Sequence, residues 1–301
     1  MALSGSLITN KEMKNQSNCE ADVTMENNRY LTPEEVHKRL LYMTMQFHDF
    51  CEEKKLTYFL IAGSLLGAVR HKGFIPWDDD VDIVMPREDY EILKSFKNIT
   101  DDLEIVSHEN NHGHYHPFAY INIADTKTLM EEEYISKSTN KGMFLDIFPL
   151  DGLSDDKESA IRWGNKVGLW ARLIGYHSNS FPRLTSMKNL LKIPVIGIAR
   201  LFPESYLVSK VDSLAKRFPF AKSVYCAKIV NRAYPIEREM HFSEDYSSRI
   251  LAPFESTELY IPYGYDRILK TLYGDYMTPP PIGQQQSHHG VHVIWKDKRN
   301  S

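Results

Sequence analysis

Four aspartates within residues 78–82 run directly into an apolar segment that reads V-D-I-V-M. Alternate side chains of a strand share a face, so Asp80 and Asp82 point one way while Val81 and Ile83 point into a core. Two carboxylates about 4 Å apart repel by roughly 4 kcal/mol at an effective dielectric constant near 20. Oxygen ligands suit Mg²⁺ or Mn²⁺, so the pattern favours a metal site, with a solvated acidic loop as the alternative.

A glycine-marked turn precedes these acids. An apolar strand predicted over residues 57–62 ends at Gly63 and Ser64, which open a short helix that reaches Arg70. Glycine allows a phosphate to approach the backbone, and amides at a helix start point toward an anion. Ser64 adds a hydroxyl, and Arg70 and Lys72 add positive charge. The turn therefore indicates a phosphate site, and a simple tight turn is the alternative.

A further carboxylate lies inside an apolar run. Asp146 is flanked by apolar residues in M-F-L-D-I-F at positions 143–148, where a lone charge is unfavourable unless it has a partner. A metal shared with Asp80 and Asp82 would supply that partner, so Asp146 is the third candidate ligand. Asp151 follows in a predicted turn, and we interpret it as structural, with a substrate role as the alternative.

The hydrophobic pattern predicts an α+β fold, in which a mixed β-sheet is flanked by helices. Thr32, Pro33 and Glu35 form a strong helix start with a capping box. A second helix is predicted over residues 87–96. Further strands are predicted over residues 81–85, 103–107, 118–124, 129–135 and 143–148.

We divide the chain into four parts. Residues 1–28 are expected to be a flexible tail, 29–155 a catalytic core, 156–258 a basic helical subdomain, and 259–301 a segment that returns to the active site. Residues 162–222 carry 11 Lys and Arg against two acids, a net charge of +9 in a chain of −4. This stretch is interpreted as a solvated surface, as a contact with an anionic membrane, or as a site for a polyanionic glycan or lipid-diphosphate acceptor.

Overall charge, cysteine content and the lack of targeting segments argue against several classes of protein. The overall charge does not favour nucleic acid as a partner. Three cysteines without a C-x-x-C pair argue against a disulfide framework, and the absence of a signal peptide or an apolar spanning segment predicts a cytoplasmic protein. Residues 108–112 match H-E-x-x-H, but Asn110 and Asn111 are poor helix formers, so we expect a loop rather than a zinc-protease helix.

Four sequence segments carry a family resemblance. The order G-S-L-L-G at residues 63–67, R-H-K-G-F-I-P-W-D-D-D-V-D-I at 70–83 and F-L-D-I-F-P-L-D-G at 144–152 resembles the LicD family, which includes fukutin-like proteins. The late run Y-G-Y-D-R-I-L-K-T-L-Y-G-D-Y-M-T-P-P at 263–280 resembles it too. The resemblance implies a nucleotidyltransferase-like core.

The resemblance also implies an activity. Family members move a phospho-alcohol, typically phosphocholine from CDP-choline, to a sugar hydroxyl of a surface glycan such as lipopolysaccharide, teichoic acid or capsule. By position, Asp80, Asp82 and Asp146 correspond to catalytic metal ligands for Mg²⁺ or Mn²⁺, and Gly63 and Ser64 to the donor-phosphate turn.

Aromatic and polar residues are further candidates. Trp77, Tyr273, Tyr276 and His288 are candidates for a substrate wall, since an aromatic wall suits a quaternary ammonium. The acceptor is expected to be a glycan or its lipid-linked precursor, which would place the protein peripherally at the inner membrane face.

Two other reactions fit the same motifs. Glycerol phosphate or ribitol phosphate could replace phosphocholine as the cargo. A true nucleotidyltransferase would use the same carboxylates but an NTP donor, and would release pyrophosphate instead of CMP. A glycan- or membrane-binding module without turnover is the alternative from another class, and the intact acids at positions 80, 82 and 146 speak against it.

Overall fold

A computed structural model describes residues 30–111, 116–123, 126–130, 142–178, 187–285 and 291–295. The predicted tail over residues 1–28 lies outside this part of the chain. The helices are α1 (Pro33–Lys54), α2 (Ala62–Arg70), α3 (Arg87–Lys94), α4 (Lys157–Ser178), α5 (Met187–Ala199), α6 (Glu204–Ala215), α7 (Ile236–Glu239) and α8 (Tyr265–Tyr273). The strands are β1 (Phe59–Leu60), β2 (Asp82–Pro86), β3 (Leu103–Val106), β4 (Ala119–Ile123), β5 (Thr126–Met130), β6 (Phe144–Gly152), β7 (Tyr225–Ala227), β8 (Met240–Phe242), β9 (Arg249–Phe254), β10 (Thr257–Pro262) and β11 (Val291–Trp295).

Helix α1 begins where the capping box predicts. The Glu35 backbone N–H donates to Thr32 Oγ1 over 3.3 Å, and the Thr32 N–H donates to Glu35 Oε2 over 2.9 Å. The helix ends at Lys55, which adopts a left-handed conformation with φ 56°. Its apolar face is buried against the core through Leu40 and Phe47, among others. The prediction of this helix is confirmed.

A mixed sheet forms the centre of the molecule, in the strand order β1-β2-β6-β4-β3. Strands β2 and β6 are parallel, whereas β1, β4 and β3 run antiparallel to their neighbours. Strand β6 is fully buried from Ile147 onward, and its far end pairs with β7, which in turn pairs with β8. The predicted mixed sheet with flanking helices is confirmed.

Two local predictions are corrected. The strand expected over residues 57–62 is limited to Phe59 and Leu60; Ile61 is still extended, and the segment then ends at Ala62, which adopts a left-handed φ of 51° and starts α2. An alanine in that conformation interrupts an extended segment. Asp151 was expected in a turn, but it lies within β6 and pairs with Ala227 of β7.

The second half of the chain combines helices with strands that rejoin the core. Helices α4, α5 and α6 lie within or across the basic stretch, and the segment after α6 returns to the sheet through β7. Strands β9 and β10 form a hairpin, and β11 pairs with β5. Of the helices in the described residues, none has the length and apolar content needed to cross a bilayer.

Candidate active site

The two central carboxylates lie side by side at the start of the parallel strands. Asp82 of β2 is the register partner of Asp146 of β6, and Asp146 is in turn the partner of Tyr120 of β4. The Asp146 backbone N–H donates to the Val81 carbonyl over 3.2 Å. Register partners on neighbouring strands present their side chains to the same face of a sheet. The sheet therefore places Asp82, Asp146 and Tyr120 in one row across three strands.

The alternation of side chains between the two faces of β6 explains why the row that contains Asp146 is accessible. Leu145 and Ile147 are completely buried on one face of the strand. Phe144 and Asp146, on the other face, remain partly exposed. The same alternation that builds the core thus turns the carboxylate of Asp146 toward the partly open face of the sheet.

Asp82 lies in an environment that disfavours its negative charge. Burial raises the pKa of Asp82 from its ordinary 3.8 to about 8. The ammonium of Lys228 acts in the opposite direction, while the carboxylates of Asp80, Asp146 and Asp78 add to the rise. A carboxylate whose charge is opposed by burial and by like charges is stabilised by an added cation. The acidic pattern of the sequence thus corresponds to a real electrostatic cluster.

Lys228 is a buried cation beside this cluster, and it lies outside the motifs that predict the site. Its side chain is only 7% exposed, and its Nζ lies 4.1 Å from the centroid of the Phe148 ring. Phe148 is two positions along β6 from Asp146 and so shares its face of the sheet. The ammonium is thereby held over an aromatic ring next to the carboxylates.

The glycine-marked turn contacts the acidic segment directly. A Cβ atom at Gly63 would lie 2.6 Å from Asp78 Oδ2, so only glycine fits without a shift of that carboxylate. Ser64 is buried, and its Oγ accepts a 2.9 Å hydrogen bond from the Asp82 backbone N–H. Ser64 therefore fixes the start of β2. The structure places the predicted phosphate turn and the predicted metal ligand next to each other.

The two predicted basic residues have different surroundings. Arg70 Nη1 donates to the Tyr276 carbonyl over 2.8 Å, and Arg70 Nε donates to His71 Nε2 over 2.9 Å. Lys72 is exposed, and its carbonyl accepts a hydrogen bond from the Glu255 N–H. At about 1.5 Å of rise per residue, Arg70 lies roughly 10 Å along α2 from Gly63. The hydrogen bond from Arg70 to the Tyr276 carbonyl thus connects α2 to the C-terminal segment.

Of the predicted wall residues, Tyr273 is electrostatically linked to the acids. Burial raises the pKa of the Tyr273 hydroxyl, and the neighbouring Tyr234, Asp82 and Asp78 raise it further. The Tyr276 hydroxyl instead donates to Asp266 Oδ1 over 2.8 Å. Trp77 packs against the core, with its ring edge-on to His71 at 6.2 Å. His288 lies outside the described residues.

The acids do not form a complete metal cage by themselves. Within the ranges that the structure describes, no three His, Cys, Asp or Glu side chains are close enough together to hold a metal ion. The structure presents Asp82 and Asp146 as neighbouring carboxylates, and the three-carboxylate site stays a prediction. Mg²⁺ is commonly held by one or two carboxylates and completed by substrate phosphates. The all-oxygen donor set fits that ion.

Asp151 belongs to a buried ion-pair network rather than to the carboxylate row. Both of its carboxylate oxygens accept from Arg87, at 2.7 Å from Nε and at 2.7 Å from Nη2. Arg87 also pairs with Asp212 at 2.9 Å and with Glu91 at 3.1 Å. The network joins α3, β6 and α6, which agrees with the structural interpretation of Asp151.

The H-E-x-x-H match is not helical where it is described. Glu109 pairs with Lys94, and the Asn111 N–H donates to the Ser107 carbonyl over 3.0 Å within a turn. His112 lies outside the described residues.

A sequence signal for Lys228 did exist. The lysine interrupts the apolar run Y-C-A-K-I-V at residues 225–230, which is the same anomaly that identified Asp146. Tyr120 gave no comparable signal, because a tyrosine is ordinary in a strand.

Comparisons with known proteins show which sequences this chain is similar to. Residues 55–204 match the family model described as LicD/FKTN/FKRP, nucleotidyltransferase domain, a range that contains Gly63, Asp82 and Asp146 but ends before Lys228. The chain is 27% identical over 247 residues to the lipopolysaccharide cholinephosphotransferase LicD of Haemophilus influenzae, covering 81% of this chain and 90% of the relative. Uncharacterised proteins of Rickettsia typhi and Rickettsia prowazekii are 37% identical over 75 residues and 41% identical over 64 residues, each covering 24% of the relative.

Proposed function

We propose, from the membership of this chain in the LicD family through residues 55–204, that it transfers a phospho-alcohol from a CDP-linked donor to a sugar hydroxyl. Phosphocholine from CDP-choline is the proposed cargo, because the relative that covers most of the chain is named as a lipopolysaccharide cholinephosphotransferase. The proposed acceptor is a sugar of a lipopolysaccharide-type glycan or of its lipid-linked precursor. The observation that carries the proposal is the register pair Asp82 and Asp146 beside the ammonium of Lys228.

In the proposed reaction the acceptor hydroxyl attacks the phosphorus that bears choline. A new bond forms between that phosphorus and the acceptor oxygen, the bond to the bridging oxygen of the diphosphate breaks, and CMP leaves. The hydroxyl loses its proton during this step, and Asp146 is the proposed group that orients the hydroxyl and accepts the proton. Proton transfer by a positioned carboxylate and alignment of the two reactants each lower the barrier.

Asp82 and Asp146, with Asp80, are the residues proposed to hold Mg²⁺ or Mn²⁺. When bound, the cation would neutralise diphosphate oxygens and favour the ionised form of Asp82. The raised pKa of Asp82 supports this assignment, since its charge is otherwise opposed by burial and by three neighbouring acids. The incoming donor phosphates would supply the remaining oxygen ligands.

Lys228 and Gly63 complete the proposed donor site. Lys228 is proposed to stabilise the charge that develops on the leaving phosphate, because a fixed cation in a partly desolvated site acts more strongly than one in water. Gly63 is proposed to let the donor approach the start of α2, where backbone N–H groups favour anions. Tyr273 is the proposed aromatic neighbour of the transferred group, on the basis of its electrostatic link to Asp82.

A donor panel tests the function. Purified protein is incubated with CDP-choline, CDP-glycerol, CDP-ribitol or an NTP, in each case with Mg²⁺ and with lipopolysaccharide as acceptor. We expect CMP release from CDP-choline and a mass increase of one phosphocholine on the glycan, both of which stop on addition of EDTA. Asp146→Asn serves as the inactive control.

Other results would redirect or reject the proposal. Release of pyrophosphate from an NTP would establish a nucleotidyltransferase instead. CMP release from CDP-glycerol or CDP-ribitol alone would change the cargo while keeping the reaction. Unchanged turnover after thorough chelation would contradict the proposed metal, and binding of the glycan without turnover of any donor would reject the enzyme.

A further inference from the structure

Helix α5 exposes an apolar face where a surface helix normally carries polar residues. Among the α5 side chains that the structure describes, over residues 193–199, those of Ile196 and Ala199 are buried, at 2% and 0% exposed. Val195, Ile198 and Leu201, which are spaced three residues apart, are instead 37%, 54% and 78% exposed. The Leu201 N–H donates to the Ile198 carbonyl, so the helical turn continues through Leu201. We call Val195, Ile198 and Leu201 the apolar ridge.

Aromatic residues extend the ridge toward α6 and α4. Phe202 follows Leu201 directly and stacks on Tyr206, with ring centroids 5.6 Å apart and an interplanar angle of 18°. Phe202 also meets Trp170 of α4 at 6.4 Å. Tyr206 is itself 44% exposed. Aliphatic side chains with an adjoining Tyr and Trp are the composition that favours the boundary between water and lipid headgroups.

The segment that carries this surface is rich in basic residues. Lys210 Nζ lies 5.8 Å from the centroid of the Trp170 ring, next to the aromatic extension. Lys188, Lys192 and Arg200 belong to α5 or its end, within the stretch of residues 162–222 that nets +9. The rest of the chain is acidic, because the whole chain nets −4. Positive charge is therefore concentrated on the segment that exposes apolar side chains.

We infer that the apolar ridge and its basic surroundings dock the protein on an anionic lipid bilayer. Buried apolar area and attraction to anionic headgroups add in such binding. We commit to the bilayer rather than to another apolar partner, because an anionic surface complements the excess of Lys and Arg in the segment that carries the ridge. Docking at this surface does not depend on which donor the active site takes.

Vesicle co-sedimentation tests the inference with the full chain. The probes are vesicles of phosphatidylcholine alone and of phosphatidylcholine mixed with phosphatidylglycerol. We expect the unmodified protein to bind the mixed vesicles, and to bind them less at high salt because salt screens exposed charges. Ile198→Glu combined with Leu201→Glu should weaken this binding at least tenfold.

A matched double variant controls for the added charge. Ile92→Glu combined with Leu251→Glu introduces the same two acids at aliphatic residues that are 48% and 46% exposed on α3 and β9. This control should bind the mixed vesicles as the unmodified protein does. Both double variants should unfold at the same temperature as the unmodified protein, because none of the four side chains belongs to the hydrophobic core.

Two outcomes would overturn the inference. Equal vesicle binding by the ridge variant and the control variant would remove the ridge from any docking role. A dimer that the ridge variant converts to a monomer, together with no vesicle binding, would assign the ridge to an interface between two copies. The ridge variant should keep its nucleotide release in detergent solution, so a failure of docking is distinguishable from a failure of the proposed reaction.

Discussion

Replacing Asp82 with asparagine should stabilise the metal-free protein while it abolishes turnover. The pKa of Asp82 rises from 3.8 to about 8 on folding, chiefly through burial. At about 1.4 kcal/mol for each tenfold change in a proton equilibrium, this rise corresponds to roughly 6 kcal/mol of unfavourable free energy. Relaxation and water penetration lower such penalties, so we expect Asp82→Asn to raise the free energy of unfolding by about 3 kcal/mol near pH 8.

The sign of the effect follows from the protons that each state binds. Below about pH 4, Asp82 is protonated in both the folded and the unfolded chain, and asparagine resembles that neutral form. Between pH 4 and pH 8 the unfolded chain loses the proton and the folded chain keeps it, so this group makes the protein less stable as pH rises. Asparagine does not titrate. The advantage of the variant should therefore grow across this window and level off above pH 8.

Urea denaturation in EDTA, repeated at several pH values, measures the difference. Asp101→Asn removes a carboxylate from an exposed position and is the control; it should not reproduce the gain. Added Mg²⁺ should stabilise the unmodified protein and close part of the gap, because it favours ionised Asp82. A variant that is less stable than the unmodified protein at pH 8, or a difference that does not change with pH, would refute the reasoning.

Three further predictions concern neighbouring groups. Asp146→Asn should lower turnover at least a hundredfold with the fold retained, as measured by CMP release and circular dichroism. Lys228→Met, which keeps an apolar side chain on Phe148, should lower kcat about a hundredfold. Lys228→Arg should recover part of the loss. A normal rate in Lys228→Met would exclude the proposed role. Asp151→Asn should destabilise the fold by about 3 kcal/mol, because it breaks the buried pair with Arg87. The folded fraction should keep its activity. Urea denaturation measures the change in stability.

Much of the core could be predicted because local signals and packing agree. The capping box at Thr32 and the apolar spacing behind it specify α1, and the structure places them as expected. Predictions failed where backbone conformation, rather than hydrophobicity, decided the outcome. The apolar segment up to Ala62 reads as a strand throughout, yet only Phe59 and Leu60 are paired, and the left-handed φ at Ala62 ends the extended segment. Side-chain polarity does not encode that angle.

The candidate site was predictable only where its residues are close in sequence or interrupt an apolar run. The aspartates near residue 80 met the first condition, and Asp146 met the second. The register that sets Asp146 directly beside Asp82 is a property of the sheet, since the two residues are far apart in the chain. Lys228 also interrupts an apolar run, but its relation to Phe148 depends on the pairing of β7 with β6.

Asp82 and Asp151 show how the same residue type acquires opposite roles on neighbouring strands. Burial raises the pKa of Asp151 as well, but both of its carboxylate oxygens accept from the guanidinium of Arg87, which acts in the opposite direction and pairs the charge within the folded chain. The negative charge of Asp82 is opposed by burial and by three neighbouring acids. The ammonium of Lys228 compensates only part of this effect, because the pKa of Asp82 still rises to about 8. Charge that the chain itself satisfies stabilises the scaffold and leaves no affinity for a ligand. Where the folded chain compensates a negative charge only in part, binding of a cation and its phosphates is favourable. The proposed chemistry is therefore assigned to Asp82 and Asp146 and not to Asp151.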